Sequence, residues 1–346
     1  MKNFLRLFLI ILLFVFTFCL GYSFSLLNKK IEVKEKKCPV IKEKIREKEK
    51  IIDVNEWIKI PTYEKSNEST HPKVLYFDEP VNGYKYWLVS TPYPYNTAFY
   101  ENPSIVVSND GVHFKEPDGL KNPISGYPSK YWDGSYYSDP FMLYDNDHFE
   151  LFYRKTLSNL NNVYKESGYN YIYMKTSSDG INWSEERLIL DYSPEDAYMS
   201  LSVIKNNGLY KMWYVNYDYK VKYVESNDLE NYSSPIDINV LNFDKKIWHG
   251  EIQFIDNKYV CVFMIKYNLY YMESADGVNF SEPKLINTDL KELNGINNYI
   301  YKTSFILGDD SMELYIPYRV YDGSKDRRVW KMRYVKMSRE NFYNSL

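Results

Sequence analysis

The chain has 346 residues, of which 45% are apolar and 26% charged, so it can bury a substantial core in one large or two small domains. Its formal net charge of -3 argues against a nucleic-acid-binding protein, which would carry a basic face or domain. The 37 Tyr, 18 Phe and 7 Trp residues are typical of β-strands, and a minority of them can supply half-polar binding surfaces. The cysteines Cys19, Cys38 and Cys261 lack zinc-ligand spacing, so we predict no metal ligands and no cofactor.

The N-terminal region predicts a membrane anchor. No charged residue occurs in residues 7–27, "LFLIILLFVFTFCLGYSFSLL", and this apolar run is long enough to span a bilayer. A cleaved signal peptide has a shorter apolar core and ends in small residues, which this segment lacks. We therefore expect residues 1–27 to form an uncleaved transmembrane helix.

Residues 28–69 predict a charged helical stalk that links the anchor to the rest of the chain. Lys and Glu mix at helical spacing, and Ile41, Ile45 and Ile52 make a thin apolar seam that Pro39 precedes. With this seam, self-association of the chain through the stalk is a possibility that the sequence does not decide. A binding site for a specific partner is the less favoured alternative.

A ten-residue phrase recurs in the remainder of the chain. It reads "SNDGVHFKEP" at 108–117, "SSDGINWSEE" at 177–186 and "SADGVNFSEP" at 274–283, with a weaker copy, "SNDLENYSSP", at 226–235. Its Asp-Gly predicts a tight turn into an aromatic residue that begins an outer strand. The Ser and Asp of each copy are expected to fix the turn rather than to carry chemistry.

Each phrase closes a set of three short apolar strands, such as "SDPFMLY", "FELFYRK" and "YIYMKTS" in the second unit. Five such units of roughly fifty residues match the size of a four-stranded propeller blade. The sequence therefore predicts an all-β fold, a five-bladed β-propeller over residues 70–346.

In a propeller, the starts of the innermost strands and the loops between the second and third strands meet at one end of the channel. From the residues that this rule selects we take twelve as candidate site residues: His71, Tyr93, Glu101, Asp139, Tyr153, Arg154, Trp213, Asn216, His249, Glu251, Lys302 and Arg319. Charged groups at inner positions are costly unless they are paired or used, which favours a functional mouth over a structural polar plug.

The pattern of "YENPSI", "SDP" and S-x-DG-x-x-W/F within five blades resembles the five-bladed glycoside hydrolase propellers of families 32, 43, 62, 68 and 130. The chain also resembles uncharacterised propellers of bacteria and phages, and the likeness covers residues 71 to 340. It implies that Asp139 is the base or nucleophile, that Glu251 is the acid, tuned by His249, and that Glu101 is a third carboxylate. The remaining mouth residues would bind substrate. The third blade, "YMSLSVIK", lacks the glutamate of that pattern, and the first opens with His71 instead of Asp.

The resemblance implies a glycoside hydrolase whose partner is a glycan substrate, a cell-surface or extracellular polysaccharide or oligosaccharide. A non-catalytic carbohydrate-binding propeller and a glycoside phosphorylase are the alternatives, and a protein-binding platform is a further one. For the phosphorylase, Arg154, His249, Lys302 and Arg319 would hold phosphate. A calcium ion in the channel is left open.

Two sequence signals disagree about the side of the membrane on which the propeller lies. The lysines that follow the apolar run outnumber the basic residues before it, which by the positive-inside rule favours a cytoplasmic propeller. A domain resembling polysaccharide-acting enzymes favours an extracytoplasmic one. We expect a propeller anchored outside the cytoplasm by a single N-terminal helix.

Overall fold

The computed structural model describes residues 54–126, 134–157, 168–265, 268–287 and 299–346. The strands are β1 (Val54–Ile58), β2 (Ser69–Val81), β3 (Tyr84–Pro92), β4 (Ser104–Ser108), β5 (Tyr136–Asp145), β6 (His148–Leu157), β7 (Tyr169–Ser177), β8 (Arg187–Leu190), β9 (Met199–Asn206), β10 (Leu209–Val215), β11 (Val221–Ser226), β12 (Ile236–Asp237), β13 (Asn239–Val240), β14 (His249–Ile255), β15 (Lys258–Ile265), β16 (Asn268–Ser274), β17 (Asn279–Phe280), β18 (Lys284–Leu285), β19 (Tyr299–Ile300), β20 (Ser304–Leu307), β21 (Ser311–Asp322) and β22 (Arg327–Ser338). A short helix, α1 (Arg339–Asn344), follows β22.

These strands form five sheets that surround a channel. The sheets are β2-β3-β4, β5-β6-β7-β8, β9-β10-β11-β12, β14-β15-β16 with β13, β17 and β18, and β20-β21-β22 with β1 and β19. The innermost strands contact one another in a closed ring, in the order β2, β5, β9, β14, β20 and back to β2. The predicted all-β propeller is thus confirmed.

The N-terminal boundary of the propeller differs from the prediction. β1 pairs antiparallel with β22, from Val54 opposite Lys336 to Ile58 opposite Met332. Residues 54–69 therefore belong to the fifth sheet and its approach to β2, and the stalk predicted over 28–69 is wrong for them. Pairing with β1 satisfies the edge of β22, and "VNEWI" buries Ile58 there.

The predicted anchor at 1–27 and the part of the stalk before residue 54 lie outside the described residues and stay predictions. Across the described ranges, the chain has no helix with the length and apolar character needed to cross a membrane.

The repeated phrase builds the turn that the sequence predicts. In the first copy, Ser108 Oγ accepts hydrogen bonds from the N–H groups of Asp110 (3.2 Å) and Gly111 (3.1 Å), and Asp110 Oδ1 accepts from Val112 N–H at 2.9 Å. The second copy places Gly180 at φ +71°, so close to Trp87 that a Cβ would lie 2.3 Å from Trp87 Cζ3. Each corner thus locks the turn and packs it against the core.

Candidate active site at one mouth of the channel

Three of the inner strands are distorted where they begin. His71, Asp139 and Ser200 have φ values of +51°, +49° and +54°, a left-handed conformation that is uncommon for residues other than glycine. The pairing of β5 with β6 shifts register between Ser138 and Phe141, and β2 has a similar shift beside His71. Such bulges redirect a side chain and concentrate at functional sites.

The bulges bring two histidines and one carboxylate together across three blades. His71 Nε2 and His249 Nδ1 each lie 3.7 Å from Asp139 Oδ1. One donor atom from each residue can be chosen so that all three lie within 4.8 Å of one another. His71, Asp139 and His249 are called the triad below.

The triad has buried nitrogens that lack a partner. Among the described residues, neither His71 Nε2 nor either ring nitrogen of His249 makes a hydrogen bond, although both side chains are almost fully buried. His71 Nδ1, in contrast, lies 2.9 Å from Thr91 Oγ1. Buried polar atoms without partners are costly and call for an explanation, such as a ligand. The donor set fits a divalent cation, which prefers imidazole nitrogen and carboxylate oxygen.

The charge states of the triad also suit a cation. Burial lowers the pKa of His71 to about 4, in spite of the opposing effect of Asp139, and it lowers the pKa of His249 well below its usual value. Both imidazoles are therefore neutral at pH 7, the form that binds a metal. Burial alone would raise the pKa of Asp139, but His71 and Arg154 hold it below its usual range, so Asp139 stays ionised.

Arg154 fixes the orientation of Asp139. Its Nη2 lies 2.9 Å from Asp139 Oδ2, and its Nε and Nη2 donate to Ser138 Oγ at 3.0 and 2.8 Å. The backbone N–H of Ser200 donates to Asp139 Oδ1 at 3.1 Å. One carboxylate oxygen of Asp139 is thus held by Arg154 of its own blade, and the other by Ser200 of the next blade.

Glu101 is a second carboxyl group at this mouth, in a contrasting state. It is buried, and burial raises its pKa well above 4.5; Arg154 opposes that shift, whereas Asp139 adds to it. Glu101 thus tends to keep its proton while Asp139 has lost its own. Two carboxyl groups whose pKa values are pushed apart are typical of acid–base catalysis.

Glu251 does not join the triad, although the sequence analysis assigned it the role of acid. It lies two residues beyond His249 on β14, about 7 Å further along the strand. Its Oε1 lies 2.6 Å from Lys73 Nζ and also accepts a hydrogen bond from Gln253. The expected tuning by His249 is not observed, because the contact of His249 is with Asp139. The ion pair with Lys73 occupies the carboxylate that would have to donate a proton.

Lys302 lies deep in the channel, near both carboxylates. Its side chain is fully buried, and burial lowers its pKa against the opposing effects of Asp139 and Glu251. Its Nζ lies 3.5 Å from the carbonyl oxygen of Pro140. Lys302 was predicted to bind substrate at the mouth, and that role stays a prediction.

The rim of the mouth is aromatic, and most of its aromatic residues were not predicted from the sequence. The Tyr301 ring lies 4.9 Å from that of His71 and 4.4 Å from that of His249, and Trp248 stacks on His249 at 5.3 Å. Arg319 donates to the Tyr299 hydroxyl at 2.6 Å. Trp248 and Tyr301 adjoin the selected residues His249 and Lys302, and that adjacency was the available signal.

Tyr93 lies on the same rim, as predicted. Burial raises its pKa, as does the nearby Glu101, while Arg319 opposes the shift. Its ring lies 6.3 Å from that of Trp330.

Three residues predicted to bind substrate have side chains that serve the fold instead. Tyr153 is fully buried and donates its hydroxyl to Glu186 at 2.9 Å, while Trp213 is buried and donates from Nε1 to the Gly277 carbonyl at 2.8 Å. Asn216 Oδ1 accepts from the N–H groups of Asp218 and Lys220 within a turn, both at 3.0 Å. Neighbouring residues of a strand face opposite ways, so Arg154 reaches the mouth whereas Tyr153 packs in the core.

Comparison with known proteins places the fold among carbohydrate-active propellers. No family model matches the chain. A segment of 62 residues is 55% identical to the A type blood N-acetyl-α-D-galactosamine deacetylase of Flavonifractor plautii, and it spans 18% of this chain and 8% of that protein.

Solved structures extend the similarity to most of the chain. The N-acetylgalactosamine deacetylase of F. plautii, in complex with blood group B trisaccharide, has a TM-score of 0.70 at 22% identity and covers 85% of this chain and 97% of its own. A GH43 protein of Bacillus licheniformis has a TM-score of 0.54 at 16% identity over 74% of this chain and 50% of its own. The arabinanase of Bacillus subtilis also has a TM-score of 0.54, at 10% identity over 83% of this chain and 96% of its own. The resemblance to glycoside hydrolase propellers is confirmed at the level of the fold.

Proposed function

We propose that this chain, which has the β-propeller fold of the GH43 carbohydrate-active enzymes, is a metal-dependent deacetylase of N-acetylated sugars. The observation that carries the proposal is the triad, a buried set of two neutral imidazoles and one carboxylate with unpartnered nitrogens. The similarity to an N-acetylgalactosamine deacetylase supports it. The reaction consumes water and an acetamido group, and it releases acetate and the free amine of the sugar.

His71, Asp139 and His249 would hold the divalent cation. When bound, such a cation polarises an amide carbonyl and makes a water molecule more acidic. Arg154 and Ser200 keep Asp139 in the orientation in which its carboxylate could bind the cation.

Glu101 would move the proton. A group that accepts a proton from the attacking water and gives it to the departing nitrogen works best when its pKa lies near the working pH. Burial displaces the pKa of Glu101 in that direction, and the ionised form of Glu101 would take the proton from the water and then donate it to the nitrogen. The expectation that Asp139 is the catalytic base is accordingly replaced by a role as ligand, and that of Glu251 as acid by an ion pair with Lys73.

Glycoside hydrolysis is the second candidate, and one observation favours it. Asp139 is ionised and Glu101 tends to be protonated, which is the division of states that a pair of glycosidase carboxyl groups needs. This mechanism would use no cation, so the two candidates differ in their response to a chelator.

Acetate release from N-acetylglucosamine and N-acetylgalactosamine glycosides tests the proposal, with new reducing ends measured in parallel. We expect the full chain to release acetate, to lose this activity with a chelator and to regain it with a divalent cation. His249→Ala should abolish turnover, whereas His148→Ala should not, because His148 is exposed on β6 and its ring pairs with the Asn146 carbonyl in a turn. If new reducing ends form even in the presence of the chelator, the result would reject deacetylation in favour of glycoside hydrolysis.

The location of the substrate follows from the predicted anchor. We propose that the helix expected over residues 1–27 holds the propeller outside the cytoplasm, where it acts on a surface or extracellular glycan. Protease treatment of intact cells, followed by detection of the propeller, tests this placement. A propeller that becomes accessible only after lysis would contradict it.

A further inference from the structure

A strip of exposed aromatic side chains crosses the mouth face from the triad to the second blade. Its members are Tyr169, Tyr192, Tyr217, Tyr219 and Trp248, and their exposed fractions are 39%, 39%, 36%, 38% and 44%. They come from four separate segments that all end at this face: the start of β7, the loops before β9 and β14, and the turn between β10 and β11. We call these five residues the aromatic strip.

The strip is continuous with the candidate active site. Trp248 stacks on His249 of the triad with ring centres 5.3 Å apart, and it packs edge-on against Tyr219 at 6.4 Å. At the far end, Tyr192 packs against Tyr169 at 4.8 Å. Single exposed aromatic residues are ordinary, but five of them on the face of the candidate active site indicate a binding surface.

The middle of the strip is held in place by hydrogen bonds. Asn170 Nδ2 donates to the Tyr217 hydroxyl at 2.7 Å, and the backbone N–H of Tyr217 donates to the Glu195 carbonyl at 3.4 Å. The Tyr217 ring is thereby fixed between the start of β7 and the loop before β9. A prearranged surface loses less conformational entropy when a ligand binds.

Charge along the strip restricts the ligand. Asp191, Glu195 and Asp218 are exposed beside the strip, while Lys246 lies over the Tyr219 ring at 5.0 Å. The apolar faces of sugar rings stack on Tyr and Trp, whose polar edges stay in water. Exposed carboxylates beside the strip favour a sugar chain that carries free amines, which removal of acetyl groups produces.

We infer that the aromatic strip binds an oligosaccharide or polysaccharide of amino sugars, so that the enzyme acts within a chain several sugars long. This inference rests on the proposed deacetylase function and names its substrate class. Sugars already deacetylated would lie on the strip, and the next acetamido group would lie at the triad.

Chain-length dependence tests the inference with two readouts on the full chain. The first is kcat/KM for acetate release from β-1,4-linked N-acetylglucosamine oligomers of one to six sugars and from N-acetylgalactosamine. The second is calorimetric binding of the same sugars, and of glucosamine hexamer, to Asp139→Asn, a variant intended to block turnover. The variants are Tyr192→Ala and Tyr219→Ala, and Tyr76→Ala is the control, since Tyr76 has the same 39% exposure as Tyr192 but lies on the first blade outside the strip.

We expect kcat/KM and affinity to rise with chain length. Each strip variant should reduce the ratio of hexamer to monomer about tenfold, the effect of about one lost stacking contact, and the control should not change it. Acetate release that is equal for one and six sugars would overturn this inference and leave the deacetylase proposal intact. Length-dependent binding that needs the strip, without acetate release from any sugar, would support the strip and overturn the deacetylase proposal.

Discussion

Arg154 Nη2 lies 2.9 Å from Asp139 Oδ2, while His71 and His249 both approach the other oxygen, Oδ1. One carboxylate therefore serves two functions. Oδ2 is held by the guanidinium, which keeps the group ionised in a buried position, and Oδ1 faces the unpartnered histidine nitrogens. The Nε and Nη2 of the same guanidinium both donate to Ser138 Oγ, which holds Arg154 beside the carboxylate.

Replacing Arg154 by Leu should therefore destabilise the fold as well as the site. Removing one partner of a buried ion pair leaves an uncompensated charge, and we expect a loss of about 3 kcal/mol in the free energy of unfolding. Arg187→Leu is the control, because Arg187 and its partner Glu230 have side chains 45% and 72% exposed and such pairs contribute about 1 kcal/mol or less. Urea unfolding of both variants measures the difference, and equal losses would contradict the buried pairing.

The stability of the metal-free protein should fall as the pH drops from 6.5 to 4. Burial depresses the pKa of His71 from 6.5 to about 4, so in this window the unfolded chain binds a proton that the folded chain does not. Asp139 opposes this shift, whereas Lys302 and Arg154 add to it. The expected loss attributable to His71 is about 3 kcal/mol by pH 4. Denaturation in chelator at several pH values measures this loss. His71→Gln should flatten the dependence of the free energy of unfolding on pH, and an unchanged slope in that variant would contradict the role of His71.

Glu101→Gln should stabilise the protein while it removes activity. The folded carboxyl group keeps its proton above pH 4.5, whereas the unfolded one ionises, so stability declines as the pH rises above 4.5 until the folded group also ionises. Gln resembles the protonated form and does not titrate. We expect a higher Tm than that of the unmodified protein at pH 7, the same Tm near pH 4, and no acetate release. A lower Tm at pH 7 would mean that folding does not raise the pKa of Glu101.

The repeated turn gives a prediction with a matched pair of glycines. Gly180 and Gly208 have φ values of +71° and +82°, but a Cβ on Gly180 would lie 2.3 Å from Trp87 whereas one on Gly208 would meet nothing within 4 Å. Gly208→Ala should cost about 1 kcal/mol from backbone strain, and Gly180→Ala about 3 kcal/mol because overpacking adds to that strain. Thermal or urea unfolding tests this, and similar losses would show that the turn does not press on the core.

The repeats made the architecture predictable, because each blade has its own copy of the same pattern of strands and turn in the sequence. The Asp-Gly turns and strand triplets fix the number of sheets without any long-range information. The pairing of β1 with β22 could not be found in this way, since it joins segments at the two ends of the domain. "VNEWI" also follows directly on a Lys- and Glu-rich segment of helical spacing, which concealed the short strand.

The site was predictable by position but not by chemistry. The rule for strand starts found all three members of the triad, but nothing in the sequence shows that three different blades bring their nitrogens and oxygen within reach. The rule for strand ends was less successful, because it selected adjacent residues whose side chains point to opposite faces. Arg154 reaches the mouth, where it pairs with Asp139, while Trp213 and Tyr153 are core residues.

The ring closure described for the inner strands determines when the protein can acquire its chemistry. His71 comes from the first blade, Asp139 from the second and His249 from the fourth, and the first and fifth blades meet through β2 and β20. A growing chain that has completed only two blades holds a carboxylate and one imidazole, with no second imidazole to face them. During refolding, the return of activity should thus lag behind the formation of individual blades and report the moment at which the circle is complete.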